Sequence, residues 1–451
     1  MGQKYLFKNI SVVNDNTTQI CDLYVHNERI ERIDTSFAVK GKVIEIDGEG
    51  KYLLPGVIDD QVHFREPGLT DKATIYTESK AAVAGGVTSF MEMPNTIPNA
   101  TKQSILEEKY DIASRTSLAN YSFFFGVTND NYDEVIRMNS RKSEVCGIKI
   151  FMGSSTGNML VDDHNTLHRI FKDSELLIAT HCEDEATIRQ NYADIKANKI
   201  NLQPSDHPII RNTDACYKSS SLAIDLAKKY NTRLHILHIS TAKELELFTN
   251  TIPLEQKRIT SEVCVHHLSF SEEDYEKLGY LIKCNPAIKS ENDQKALWEG
   301  LLENRLDVIA TDHAPHLLSE KEPPYEKAHS GLPLVQHALS IMLDHVENGK
   351  ITLEQVVNKM SHSVAKCFNI QDRGYLFEGY FADLVMLDKS LSTSVKKENI
   401  LYKCGWSPFT GRTFPGRVIK TFVSGHCVYQ NQNGALLWDE SIKGKRLNFK
   451  A

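Results

Sequence analysis

Eight short apolar runs, separated by stretches with helical patterning, constrain this chain more than any other feature of its sequence. They lie near residues 57–62, 87–93, 121–127, 147–152, 175–180, 233–239, 258–264 and 306–311. Segments such as Thr77 to Ala84, Ser219 to Lys229 and Asp293 to Asn304 fill the intervals with helix-forming residues. Apolar runs alternating with helices read as βα units, whose parallel strands are covered on both faces. Eight such units in one stretch are the number that closes a TIM barrel, whereas a doubly wound sheet more often stops at roughly five to seven. The expected fold is therefore α/β, with a (β/α)8 TIM barrel over residues 54–365.

The flanks have a different texture. Tyr5-Leu6-Phe7-Lys8-Asn9-Ile10 and Lys42-Val43-Ile44-Glu45-Ile46 alternate apolar and polar residues, and the same pattern returns after Gly374. Period-two alternation broken by Gly, Asn and Pro marks antiparallel strands. Two such flanks around one barrel predict a small β-sandwich built from both chain ends, residues 1–53 and 366–451.

Composition narrows the function classes. Net charge is -7, and the 52 basic and 59 acidic residues are interspersed, so no footprint for nucleic acid exists. The one basic cluster, Lys443, Lys445, Arg446 and Lys450, reads as a solvated tail. Met1 to Leu6 carries no apolar leader-like run, and no segment reads as a membrane anchor. The nine cysteines are scattered without a CxxC pair, which fits reduced thiols and a cytoplasmic location. A small-molecule substrate is the expected partner, and a homodimer is compatible with these features.

The unusual polar residues fall at the C-terminal ends of the predicted strands, the rim on which barrels build their sites. Run one ends in Asp59-Asp60-Gln61-Val62-His63-Phe64-Arg65, and run two in Met93-Pro94-Asn95-Thr96. Run four contains Lys149, run five ends in His181, run six in His238, and run eight in Asp312. A lone buried histidine is usually structural. Imidazoles and a carboxylate at matching strand ends, however, converge on one point if the barrel closes, and that donor set suits zinc. Lys149 is costly inside an apolar strand unless its charge is paired or removed, and CO₂ addition would make it an anionic carbamate ligand. His266, His267 and His329 stay unassigned. The charged segment from Pro315 to Gly331 reads as a mobile loop suited to act as a lid.

These residues resemble the class I dihydroorotases of the amidohydrolase superfamily, from Leu54-Pro55-Gly56-Val57-Ile58-Asp59 to Gly405-Trp406-Ser407-Pro408-Phe409. The more specific pieces are His63-Phe64-Arg65-Glu66-Pro67-Gly68, Thr180-His181-Cys182-Glu183, His238-Ile239-Ser240-Thr241 and Ala310-Thr311-Asp312-His313-Ala314-Pro315-His316. The resemblance implies reversible hydrolysis of dihydroorotate to N-carbamoyl-L-aspartate, in de novo pyrimidine synthesis. It implies His63, Lys149 as a carbamate, His181, His238 and Asp312 as ligands of one or two zinc ions, with Asp312 also the catalytic proton carrier. Arg65, Asn95, Asn285, His316 and Gly331 are implied in substrate binding.

The family's first strand normally reads His-x-His, and Gln61 stands at the first of those positions. A glutamine oxygen is a weaker donor than imidazole, so a metal shared by His63 and Asp312 is expected to bind less tightly or be absent. Asn285-Pro286-Ala287-Ile288-Lys289 also drifts from the usual Asn-Pro-Pro-Leu-Arg. Two other readings stand beside this one: a hydantoinase or allantoinase, and a non-catalytic subunit of a pyrimidine-enzyme assembly. Arg65 speaks against the first, because its planar fork suits a carboxylate that hydantoin lacks.

Overall fold

The structure, a computed structural model, describes residues 3–153 and 159–450; Met1 and Gly2 lie outside the described residues. Each of the eight apolar runs forms a strand: Val57–Val62, Val87–Glu92, Asn120–Phe123 continued by Phe125–Gly126, Ile148–Phe151, Ile178–His181, Leu234–Ile236, Ile259–Cys264 and Val308–Ala310. Neighbours pair in parallel throughout. The ring closes where the Val62–His313 bridge joins the first strand to the segment after the eighth, with His63 N–H donating to His313 O at 2.7 Å. Side chains reinforce the seam, because Thr311 Oγ1 donates to Asp59 Oδ2 at 2.6 Å.

Several helices between the strands start where their sequence supplies a cap. Thr74 caps Ile75–Ala84 in a reciprocal box with Thr77, and Asp184 caps Glu185–Asn198 by accepting from Thr187 N–H. The apolar faces of most of the helices cover the outside of the barrel in one large cluster, while Ile188 of Glu185–Asn198 packs in a separate one with Leu202, Ile210 and Tyr325. A second cluster of Ile58, Phe124, Leu177, Phe368, Leu447 and Phe449 plugs the end opposite the rim. Packing around the outside and at that end makes the barrel a filled core, so any recess must lie at the rim.

The chain ends meet in one nine-stranded sheet, in which Tyr52–Pro55 pairs with Leu384–Ser394. Phe422 touches Tyr5 and Phe7 at ring separations of 5.1 and 5.2 Å, although two strands of the sheet lie between them. The sheet therefore curls over itself to form the second core. Strand bulges at Phe7/Ile10 and Asp388/Ser392 accompany the curl.

The basic tail keeps its lysines partly exposed but is anchored rather than loose. Tyr121 exchanges hydrogen bonds with Lys445 and Leu447, Leu447 is buried, and the Arg446 guanidinium lies 3.5 Å over the Tyr110 ring. Apolar residues between the charges supply the anchoring that the charge count concealed. All nine cysteines are free, and among the described residues no helix is long and apolar enough to cross a membrane.

One buried ion pair supports the second strand. Lys109 reaches in from its helix to Glu92 Oε2 at 2.9 Å and donates to Met93 O at 3.0 Å, both side chains fully enclosed. Removing one partner strands the other charge in a medium that cannot solvate it. We expect Lys109→Met to lower stability by about 3–5 kcal/mol, read as a shifted denaturant midpoint. Adding Glu92→Gln should restore most of that loss.

Candidate active site

At the rim, a small recess is lined by Gln61, His63, Arg65, Asn95, Lys149, Phe151, His181, His238, Asn285, Asp312, Ala314, Ser330 and Gly331. Ten of the eleven residues singled out in the sequence thus border one space. The exception is His316, which is fully buried behind Arg65 rather than on the wall.

Three of the lining residues leave their strands in the left-handed region: Arg65 at φ 66°, His238 at φ 41° and Asp312 at φ 48°. Non-glycine residues adopt this region at a cost, and such strain gathers at sites the surroundings hold in place. Gly331 serves by its lack of a side chain. At φ 143°, a Cβ there would stand 2.5 Å from Ala314 O and 3.0 Å from the His316 ring.

One side of the recess pairs His181 Nδ1 with His238 Nε2 at 3.0 Å. Glu183 Oε2 stands 3.1 Å from His181 Nε2 and is ion-paired with Arg211. Burial alone would raise the Glu183 carboxyl, but Arg211 and His181 pull it down to about 2. Glu262 Oε1 accepts the His238 backbone N–H at 3.1 Å and so fixes that residue's position.

The other side centres on Asp312 Oδ1, which lies 3.2 Å from both His63 Nε2 and Gln61 Nε2. The second His63 nitrogen, Nδ1, meets Asn95 Oδ1 at 2.8 Å. Gln61 presents its amide nitrogen to the carboxylate and its oxygen to Cys264, 3.8 Å away. In this orientation Gln61 holds Asp312 through a hydrogen bond and offers no oxygen to an ion between Asp312 and His63.

Lys149 links the two sides. Its charge acts on His63 and Asp312 and also on His181 and His238, and its ammonium sits over the Phe151 ring at 4.6 Å. Burial pushes that ammonium down to about 7, which makes a free amine accessible near neutral pH. Burial likewise lowers His63, His181 and His238, so all three rings stay neutral, the form that binds metal. Neutral imidazoles, a carboxylate and an amine that can become anionic fit a divalent ion, and His238 Nδ1 is without a hydrogen-bond partner.

Arg65 is the remaining charge. Its Nε donates to Pro315 O at 3.1 Å, its Nη2 meets His316 Nε2 at 3.1 Å, and its Nη1 has no hydrogen-bond partner. Lys72 Nζ backs His316 at 3.1 Å and pairs with Glu320 at 2.7 Å. The sequence offered no marker for Lys72, since a lysine in a turn is ordinarily solvated.

The segment from Pro315 to Gly331 is tied down rather than loose. Lys321 is buried and donates to Lys283 O at 2.9 Å, His329 O at 2.8 Å and Gly331 O at 3.0 Å, while Trp406 Nε1 donates to His316 O at 2.7 Å. Three carbonyl acceptors turn a surface-like lysine into an anchor. The His329 ring lies tilted against His316 at 4.8 Å, and His266 and His267 are enclosed beside the recess without lining it.

The model of the amidohydrolase family matches residues 52–428. A dihydroorotase of Methanosphaera stadtmanae is 31% identical over 431 residues, 95% of this chain and 97% of that protein. A dihydroorotase of Pyrococcus abyssi is 32% identical over 422 residues, 90% of this chain and 94% of that protein. Among solved structures, the L-hydantoinase (dihydropyrimidinase) of Arthrobacter aurescens superposes with a TM-score of 0.92 at 26% identity, covering 99% of this chain and 100% of that one.

The anchoring of the loop is testable on its own. Lys321→Met removes a charged donor from three buried carbonyls, which should raise subtilisin cleavage within residues 317–331 on the order of tenfold. Unchanged cleavage would show that Lys321 does not hold the segment.

Proposed function

The chain belongs to the amidohydrolase family, and from that premise we propose that it is a dihydroorotase, interconverting dihydroorotate and N-carbamoyl-L-aspartate in pyrimidine synthesis. The observation that carries this reading is Arg65. It is 1% exposed, borders the recess, and keeps one guanidinium nitrogen without a hydrogen-bond partner among the described residues. A buried guanidinium with an open donor is matched by an anionic group, and dihydroorotate carries a carboxylate. Asn95 and Asn285, on the same wall, supply neutral amides for the carboxylate and the ring.

His181, His238, Lys149 as a carbamate, Asp312 and His63 would hold one or two zinc ions, which when bound polarise the ring amide and activate water. Asp312 accepts the proton released during attack on the carbonyl and returns it to the ring nitrogen, acting as base and then acid. Gln61 Nε2 keeps the carboxylate turned toward the recess by donating to Oδ1, and Asn95 orients the His63 ring. Arg65 holds the substrate carboxylate, with His316 and Lys72 setting the guanidinium's direction. In ring closure the same groups act in the opposite order. The nine free cysteines favour a reducing compartment, the cytoplasm.

The TM-score of 0.92 to an L-hydantoinase favours a second reading, a hydantoinase. The two readings differ in whether the substrate is anionic. Assayed side by side on dihydroorotate, hydantoin and allantoin, the wild-type protein should turn over dihydroorotate best. Arg65→Lys should lower kcat/KM for dihydroorotate by roughly 10- to 100-fold while leaving any hydantoin activity nearly unchanged. A preference for hydantoin in the wild type would overturn the proposal.

Asp312→Asn, which keeps the shape and removes the basic oxygen, should cost about 10²- to 10⁴-fold in kcat. Retained turnover would remove Asp312 from the proton path, and turnover absent from the wild type would favour the non-catalytic reading.

A further inference from the structure

Beneath the recess, between its floor and the apolar plug, three ionisable side chains meet without solvent. Asp60, His235 and Glu262 are each fully buried, and His235 packs on Phe368 of the plug at 5.3 Å. A register irregularity between Asp59 and Val62 relieves the strict alternation of the first strand. Consecutive residues thereby reach different interior partners: Gln61 meets Asp312, and Asp60 Oδ2 meets His235 Nε2 at 3.3 Å. The same ring nitrogen lies 3.2 Å from Glu262 Oε2.

The tautomer of His235 decides what this cluster lacks. The Thr260 hydroxyl donates to Leu234 O and receives His235 Nδ1–H at 2.8 Å. That leaves Nε2 facing two carboxylates. A proton on Nε2 serves Glu262 Oε2, the contact with hydrogen-bond geometry, and among the described residues neither Asp60 oxygen then has a hydrogen-bond donor. A fully buried carboxylate without a donor is costly, and here two carboxylates crowd one ring nitrogen. A divalent cation satisfies Asp60, His235 and Glu262 together and brings their summed charge to zero.

The spacing agrees. The candidate donor atoms lie within 4.8 Å of one another. Ligands bonded at about 2.0–2.2 Å to a tetrahedral ion stand roughly 3.3–3.6 Å apart, close to the separations at Nε2. Thr260 on the opposite ring nitrogen supplies the outer hydrogen bond that fixes a ligating imidazole.

We propose that Asp60, His235 and Glu262 form a divalent-cation site separate from the recess, with zinc the ion their donors suit. Glu262 joins it to the recess, since its other oxygen accepts the His238 backbone N–H. An ion there would stiffen the backbone from which His238 projects.

Crystals of the full chain grown with zinc, measured above and below the zinc absorption edge, test this directly. The expected result is anomalous density bonded to His235 Nε2 and the two carboxylates. In Asp60→Asn that density should disappear and zinc content fall by about one equivalent per chain, while density in the recess persists. Wild-type crystals without density at the cluster overturn the proposal, as does density that survives in Asp60→Asn. Because the map locates each ion, failure here is distinguishable from failure of the dihydroorotase reading, which concerns the recess alone.

Discussion

Closure of the barrel between its first and last strands is the constraint on which everything else depends. His63 and His313 are joined by a backbone hydrogen bond, and Asp59 and Thr311 by side chains, across about 250 residues of chain. Loop-closure entropy opposes bringing such distant segments together. It is offset by the intervening strands, each of which buries both faces and completes its ladder only when the ring is whole. Without that seam, His63 and Asp312 do not meet.

The interior of this barrel is unusually polar for a packed core. Several buried charges are held by specific partners elsewhere in the chain: Lys109 by Glu92, Glu183 by Arg211, Lys321 by three carbonyls. These pairs sit next to the segments that carry Asn95, His181 and the Pro315–Gly331 loop. The same low-polarity surroundings that make an unpaired charge costly keep His63, His181 and His238 neutral and lower Lys149. Stability and ligand chemistry therefore share one cause, the exclusion of water from the strand ends.

Much of the recess is legible in the amino-acid order alone. Histidine, lysine and aspartate are conspicuous inside apolar runs, and their strand-end positions tell which rim they share. The backing residues are harder to read. Lys72, behind His316, looks like any turn lysine, and His316 itself sits one layer behind the wall because Arg65 fills the space before it. Asp60 and Glu262 are visible as acids in apolar strands, but a period-two reading turns Asp60 away from Gln61's face. Only the bulge between Asp59 and Val62 brings both inward.

By itself, the sequence determined the number and order of the barrel units, the strand ends at which donors stand, and the β character of both flanks. These follow from local patterning, since apolar period and turn residues act over a few positions. The tertiary structure decided the rest: that the terminal sheet curls on itself, that the basic tail and the Pro315–Gly331 segment are anchored, and that Gln61 gives its nitrogen to Asp312. Each of these depends on a partner remote in the chain, and such partners become neighbours only when the polymer is folded.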